Sequence, residues 1–328
     1  MISDAENGME MTLEEFEMIR DFIHEKSGIY FAENKMYLVK NRLEKRLAEL
    51  EFKSVRDYFY HVKYDVSQKE FNRLMVLMTT NETSFFRNEP QLLCFSDEVL
   101  PQIIREKMQG RTTRSLRIWS AGCSTGEEPY TLAIMIMEKL KLLNGWNVEI
   151  IANDISEDVL HKARLGSYSG LTIRNVPADL LGRYFTRSGE TYAVKPEVKA
   201  LVKFSHINLN DPRKLALMTG LDVIFCRNVM IYFSDEVRKQ IVRGFLNALV
   251  PGGYFYIGHS ETLHGISKSF KLVYFKNALV YRKDPDRTLP AAETAGADAA
   301  ATALAGAADG ASRAMDLLRQ IKPMTVKK

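Results

Sequence analysis

Leu116-Arg-Ile-Trp-Ser-Ala-Gly122-Cys-Ser-Thr-Gly126-Glu-Glu128-Pro129 is the stretch on which the fold turns. Its first half is a short apolar segment ending in glycine, and its second half opens a helical pattern running to Leu143. An apolar strand passing through glycines into a helix begins an α/β unit. The alternation repeats downstream. Val148–Asp154 reads as a strand and Glu157–Leu165 as a helix; Leu221–Cys226 reads as a strand and Val237–Leu249 as a helix. Pro251-Gly-Gly253 reads as a turn before another strand, Tyr254–Gly258, and Leu272–Arg282 as a closing hairpin or edge pair. Strands alternating with helices predict a parallel α/β sheet. Residues 166–209 interrupt it. Asp179–Phe185 suggests a turn or two of helix, and Tyr192–Val194 and Leu201–Phe204 flank short turns, so a small antiparallel insertion is expected.

Upstream the periodicity is different. Phe16, Ile19, Phe22 and Ile23, then Met36, Val39, Leu43, Leu47 and Leu50, fall at helical spacing. Val55–Val62, Phe71–Met78 and Leu92–Ile104 continue the pattern without strand-like alternation. From Ala291 to Ala311 alanine dominates and no amphipathic face is present, while Met315–Ile321 has the pattern of a short amphipathic helix. The expected organisation is a helical domain over 11–109, an α/β domain over 110–285 with its insertion at about 166–209, and a disordered Ala-rich tail over 286–328.

Composition narrows the function. With 328 residues, 46% hydrophobic and 26% charged, the chain is ordinary globular protein. A net charge of +4 does not by itself mark a nucleic-acid binder. The apolar run Ala133–Met137 is far short of the roughly 20 residues a membrane span needs. Met1–Glu10 lacks the basic and apolar regions of a secretory leader, so none is expected. Three cysteines without a C-x-x-C pair argue against a disulfide framework or cysteine-rich zinc site and fit a reducing cytoplasm.

Three motifs fall where an α/β sheet binds ligands, beyond the strand C-termini, and a fourth closes an apolar helix. Gly122 and Gly126 would let backbone N–H groups approach a ligand, although an ordinary strand–helix turn accounts for them too. Glu127 and Glu128 suit the helix dipole; they also disfavour a phosphate and favour a ligand with a cationic or hydroxyl-bearing part. Asp154, ending the second strand, is placed to bind two ribose hydroxyls, with Ser156 free to cap the next helix. Arg227 and Asn228 follow a strand onto the same rim, where they are costly unless paired. Thr79-Thr-Asn81-Glu-Thr83-Ser-Phe-Phe-Arg87 carries more polar groups than a helix cap needs. A further cluster, Lys35, Arg42, Lys45 and Arg46, shares one face of the helix near Glu33–Leu50; it is either a solvated face or a dock for an acidic partner. Gly258-His259-Ser260-Glu261 lacks the second glycine of a nucleophile elbow. His259 and His264 lack zinc-site spacing, and no phosphate-binding G-x-x-x-x-G-K-[ST] loop exists.

Together T-N-E-T-S-F-F-R (80–87), S-A-G-C-S-T-G-E-E-P-Y (120–130), N-D-I-S (153–156), N-L (208–209) and F-C-R-N-V-M-I-Y-F (225–233) closely resemble the CheR-type chemoreceptor glutamate methyltransferases. R-N-V-P (174–177) and R-Y-F (183–185) match as well, and the resemblance runs from about Met11 to Arg282. It implies a class I methyltransferase (Rossmann-like) sheet with an all-helical N-terminal domain and a small antiparallel β-insertion. It implies S-adenosylmethionine as donor, a receptor glutamate as acceptor, and a glutamyl methyl ester as product. Asp154 should bind the ribose hydroxyls. Asn81, Thr83, Arg87, Gly122, Asn208, Leu209, Arg227 and Asn228 should surround the donor, with one of Glu127 and Glu128. Arg87 and Tyr232 should lie beside the transferred methyl. No metal is implied.

The implied partners are the cytoplasmic domains of methyl-accepting chemoreceptors, docking on the basic helix, with the enzyme a cytoplasmic monomer. Some relatives hold a receptor tail on a longer Gly-rich loop of the insertion. Here the turn is Phe185-Thr-Arg-Ser-Gly189-Glu-Thr191, so that tether is not expected. A non-catalytic module that senses the donor is the alternative, against which intact Arg87 and Tyr232 count. A nucleic-acid methyltransferase is weaker still, because Arg227-Asn-Val-Met230 is not the Asn/Asp-Pro-Pro-aromatic type.

Overall fold

The computed structural model describes residues 10–110, 113–139 and 145–284. The Ala-rich tail and the last residues of the helix expected to reach Leu143 lie outside them. Four helices come first: α1 (Leu13–Ser27), α2 (Met36–Glu49), α3 (Val55–Tyr64) and α4 (Lys69–Met78). Thr12 and Glu15 close a reciprocal N-cap on α1, and left-handed Gly28 ends it. Phe16, Ile19, Ile23, Val39, Leu43 and Tyr58 pack into one apolar core with Leu74 and Met78. Each such aliphatic side chain contributes roughly 1.5–3 kcal/mol on burial.

A long helical stretch follows: α5 (Glu89–Leu93), a π-helical segment at Cys94–Val99, and α6 (Leu100–Gln109). Here the structure differs from the boundary expected at residue 110. Phe85, Leu92, Phe95, Leu100 and Ile104 are buried in the core of the sheet, not in that of α1–α4. Helical periodicity shows which residues are buried but not against which partner.

The sheet is built from β1 (Ser115–Ala121), α7 (Glu127–Glu138), β2 (Asn147–Asp154) and α8 (Glu157–Leu165). The insertion holds β3 (Ser167–Tyr168), α9 (Ala178–Tyr184), β4 (Phe185–Ser188), β5 (Thr191–Val194) and α10 (Pro196–Lys199). The chain then forms β6 (Val202–His206), α11 (Pro212–Ala216), β7 (Leu221–Cys226) and α12 (Asp235–Ala248). It ends in β8 (Leu249–Ile257), β9 (Phe270–Tyr274) and β10 (Leu279–Lys283). The strand order is β6-β2-β1-β7-β8-β10-β9, with the first five parallel and β10 antiparallel to both neighbours. This is the α/β architecture the resemblance implies.

Two local readings are corrected. Val202–His206 does not belong to the insertion; it is the parallel edge strand beside β2, and the three-stranded antiparallel sheet is β3-β5-β4. A five-residue alternating run has the same pattern in either sheet. Pro251-Gly-Gly253 is no turn either but lies inside β8, whose pairing with β7 shifts register there, with Gly252 at φ +77°.

The basic face of α2 is also not what its sequence suggests. Arg42 donates to the Met78 carbonyl (2.7 Å) and Thr80 Oγ1 (2.9 Å). Arg46 pairs with Glu70 at 2.6 Å, and Tyr58 donates to the same carboxylate at 2.8 Å. Burial pushes the Glu70 carboxyl up, but hydrogen bonds from Arg46 and Tyr58 outweigh it and hold the group below its ordinary range. Only Lys35 and Lys45 of the four are exposed.

Arg46→Ala would leave the Glu70 carboxylate buried with fewer partners, so thermal or urea unfolding should show a loss of about 1–3 kcal/mol. A carboxyl depressed in the fold stabilises above its unfolded pKa of about 4.3. The difference between wild type and variant should therefore be full at neutral pH and shrink as the solution is acidified below that value.

Candidate functional site

Beyond the C-terminal ends of the parallel strands lies a cavity of about 200 Å³. Asn81, Thr83, Arg87, Gly122, Glu128, Asp154, Asn208, Leu209, Arg227, Asn228 and Tyr232 all line it. Residues from five separate stretches of sequence thus meet on one surface. Glu127 does not line it. Its carboxylate is 1% exposed and turned to the Thr125 hydroxyl (2.7 and 2.9 Å). Of the two adjacent acids the structure brings only Glu128 to the cavity, because successive side chains on a helix diverge by about 100°.

The floor is the turn after β1. Gly122 adopts φ +76°, and a Cβ there would meet Val229 Cγ2 at 2.5 Å, so glycine lets the β1 and β7 loops close together. Ser124, at φ +49°, donates its backbone N–H to Asp154 Oδ2 (2.9 Å), and Ser156 N–H donates to Oδ1 (3.0 Å). Both carboxylate oxygens of Asp154 are thereby oriented and keep acceptor capacity. Burial pushes this carboxyl up, opposed by those backbone donors. Ser156 also caps α8, as its place in the sequence suggests.

Glu128 and Arg227 form the second wall. Arg227 Nε donates to Glu128 Oε2 at 2.6 Å, with the side chains 6% and 13% exposed. Ser120 Oγ donates to the other oxygen of Glu128 at 2.7 Å. Arg227 Nη1 reaches the Arg87 carbonyl (2.9 Å) and Gln91 (3.3 Å), tying the Arg87 segment to the sheet. The burial cost of both charges is met by their pairing and these bonds. The Arg87 side chain donates to the Glu82 carbonyl at 2.9 Å and remains on an exposed residue.

The helical domain supplies the third wall. Ser27 and Ile29 line the cavity, and the Tyr30 N–H donates to the Tyr232 carbonyl at 2.9 Å. Asn208 Nδ2 donates to the Lys26 carbonyl at 2.6 Å. In the sequence Ser27-Gly28 carries no more than the signal of a helix stop, since nothing local shows that the chain returns to the sheet there. Nor does the sequence mark Asn153, whose 0% exposure and side-chain bonds to Trp119 and Ile207 only the folded chain reveals. Cys123 lines the cavity as well, but burial pushes its thiol well above the ordinary range, making it a poor nucleophile.

Residues 81–279 match the CheR methyltransferase SAM binding domain, and residues 14–79 match the CheR methyltransferase all-alpha domain. The chain belongs to the CheR methyltransferase family. Its relatives include chemotaxis protein methyltransferase 2 of Vibrio cholerae serotype O1, 36% identical over 278 residues covering 84% of this chain and 95% of that protein. Chemotaxis protein methyltransferase 1 of Pseudomonas aeruginosa is 37% identical over 275 residues, covering 82% and 97%. The family boundary near residue 80 coincides with the division between the two apolar cores. The cofactor is S-adenosylmethionine, and the cavity brings together a carboxylate whose oxygens keep acceptor capacity at Asp154, the Glu128 carboxylate paired with Arg227, and a glycine floor.

The two neighbouring glutamates should separate by experiment. Glu128→Gln should weaken S-adenosylhomocysteine binding by calorimetry, whereas Glu127→Gln should leave it unchanged. Burial raises the Glu127 carboxyl pKa, so its charge costs stability once the pH exceeds the unfolded value of about 4.3. Glu127→Gln should thus melt higher than wild type at neutral pH, by about 2–4 °C per kcal/mol relieved. The gain should vanish as the pH falls toward 4.

Proposed function

We propose that this chain methylates glutamate side chains of chemoreceptor cytoplasmic domains, giving glutamyl methyl esters, and works in the cytoplasm as a monomer. The observation that carries this reading is that Arg87 and Tyr232 share one cavity with Asp154 in a chain of this family. Among the described residues no helix is long and apolar enough to cross a membrane.

The chain's own residues have a modest task. The acceptor glutamate is ionised near neutral pH, with an ordinary pKa of about 4.3, so no strong general base is required. S-adenosylmethionine supplies a methyl group activated by its sulfonium charge. Asp154 accepts from the two ribose hydroxyls, and Glu128 faces the cationic end of the donor. Asn81, Thr83, Asn208, Leu209 and Asn228 complete its enclosure, with Arg227 holding Glu128 in place. Arg87 pairs with the acceptor carboxylate through charge-assisted hydrogen bonds, and Tyr232 orients it. Alignment of this kind is worth several kcal/mol.

The acidic receptor bundle docks beside the cleft on α2. Since Arg42 and Arg46 are held internally, Lys35 and Lys45 carry the encounter. The short β4–β5 turn at Gly189 argues against capture of a receptor tail.

Transfer of labelled methyl to a receptor fragment, released as methanol by alkali, tests the reaction itself; no transfer would refute it. Asp154→Ala should bind S-adenosylhomocysteine roughly ten- to a hundredfold more weakly, the loss of about 1.5–3 kcal/mol expected for a charged hydrogen bond. Arg87→Ala and Tyr232→Phe should lower turnover more than donor affinity.

Reversing Lys35 and Lys45 to Glu should raise the receptor KM at low salt with donor binding intact. The effect should fade as salt screens the charges beyond about 8 Å. An unchanged KM at low salt would remove α2 as the dock.

A further inference from the structure

The loop that carries Arg227, Asn228 and Tyr232 leaves β7 in an awkward conformation. Asn228 sits at φ +60°, and a single 3₁₀ turn follows at Met230–Tyr232. Such backbone persists only when its surroundings over-determine it. Besides the Tyr30 bond to the Tyr232 carbonyl, the loop is held by Glu261, in the Gly258-His259-Ser260-Glu261 turn after β8, a motif that the reaction described above leaves without a role. Glu261 Oε2 accepts the backbone N–H of Asn228 (2.9 Å) and of Gly258 (2.6 Å), and Oε1 accepts that of Ile231 (3.2 Å). The Glu261 N–H closes its own turn onto the Gly258 carbonyl at 3.0 Å.

Three donors from two loops therefore converge on one carboxylate. Ile231 N–H belongs to the first turn of the 3₁₀ segment, where no intrahelical acceptor exists, so Glu261 caps it from outside. A Cβ at position 258 would lie 2.7 Å from Glu261 Oε2 and 3.0 Å from Asn228 N, so glycine is what admits the carboxylate. Glu261 is not among the residues lining the large cavity; with Met230 and Ile231 it lines a small separate one behind the loop.

We propose that Glu261 is a positioning residue: its carboxylate holds the 228–232 loop in the conformation on which methyl transfer depends. This rests on the placement of Tyr232 beside the acceptor given above. Glu261 touches neither substrate. It acts by fixing the Asn228 and Ile231 amides, and through them the direction of Tyr232.

Glu261→Gln replaces one acceptor oxygen by an amide group that cannot accept an N–H. In the full chain, amide hydrogen exchange of a peptide covering 227–233 should speed up at least tenfold, while α1–α4 and the remaining strands exchange as before. At saturating donor and receptor, kcat should fall about tenfold with receptor KM within twofold. Adding Glu261→Gln to Tyr232→Phe should slow that variant by less than threefold, because both changes remove one alignment. Glu261→Asp keeps the charge but shortens its reach, and should fall between wild type and the Gln variant in both readouts.

Unchanged kcat or unchanged loop exchange in a folded Gln or Asp variant overturns the proposal. So does a full tenfold loss on top of Tyr232→Phe, or faster exchange spread over the whole chain, which marks a merely structural role. If Tyr232→Phe itself turns over at the wild-type rate, the acceptor role of Tyr232 is what fails; Glu261 then stands or falls on its own kcat and loop exchange.

Discussion

One buried amide organises the site. Asn153 is fully enclosed and uses both ends of its side chain and its carbonyl. Oδ1 accepts from Trp119 Nε1 at 2.6 Å, and Nδ2 donates to the Ile207 carbonyl at 3.0 Å. Its backbone oxygen accepts from the N–H groups of Gly122 and Cys123 at 2.9 and 2.8 Å. Buried polar groups are costly without partners, so each bond here excludes other conformations. The ends of β1 and β2 and the segment after β6 are thereby held at one point. Asp154, Gly122 and Asn208 follow from that point, each placed by the neighbour Asn153 secures.

The same economy recurs around the rest of the cavity. Arg227 bonds at once to Glu128, Gln91 and the carbonyl of Arg87, joining three segments remote in sequence. Arg42 ties α2 to the end of α4 and the polar stretch that begins at Thr79. Burial pushes the Arg42 guanidinium down, which marks it as a structural cation and not a surface one. Non-glycine residues at positive φ gather here as well: Ser124 and Asn228 on the cavity and Phe86 beside Arg87. A reaction that asks for alignment more than for acid–base chemistry is served by walls that cannot move independently.

Several elements could be read from local pattern because local physics decides them. The Ser156 cap, the Gly166 stop and the spacing of Val159, Leu160 and Ala163 define α8 without help from its surroundings. The run Leu221–Cys226, short and rich in β-branched and aromatic residues, reads as a buried central strand, and all six of its residues are buried. Reading failed where two tertiary settings share one pattern. Val202–His206 has the alternation of either an insertion strand or a sheet edge. Glu127 and Glu128 are the same residue type one position apart, yet one faces Thr125 and the other Arg227. Arg42 and Arg46 look like a solvated stripe until their acceptors, 24 to 38 residues further on, are in view.

By itself, then, the sequence determined the α/β alternation, the helical character of the first part and the set of motifs from which the family and its donor follow. Residue type and short-range spacing carry those, since strand and helix periods and glycine's freedom at positive φ act over a few residues. The tertiary structure alone decided which core the Glu89–Gln109 helices join, which cations are free, which of two adjacent acids meets the cavity and that Glu261 clamps the loop carrying Asn228. Those outcomes depend on contacts between residues far apart in sequence, such as Arg227 with Glu128 and Asn228 with Glu261, whose proximity exists only after the strands have taken their order.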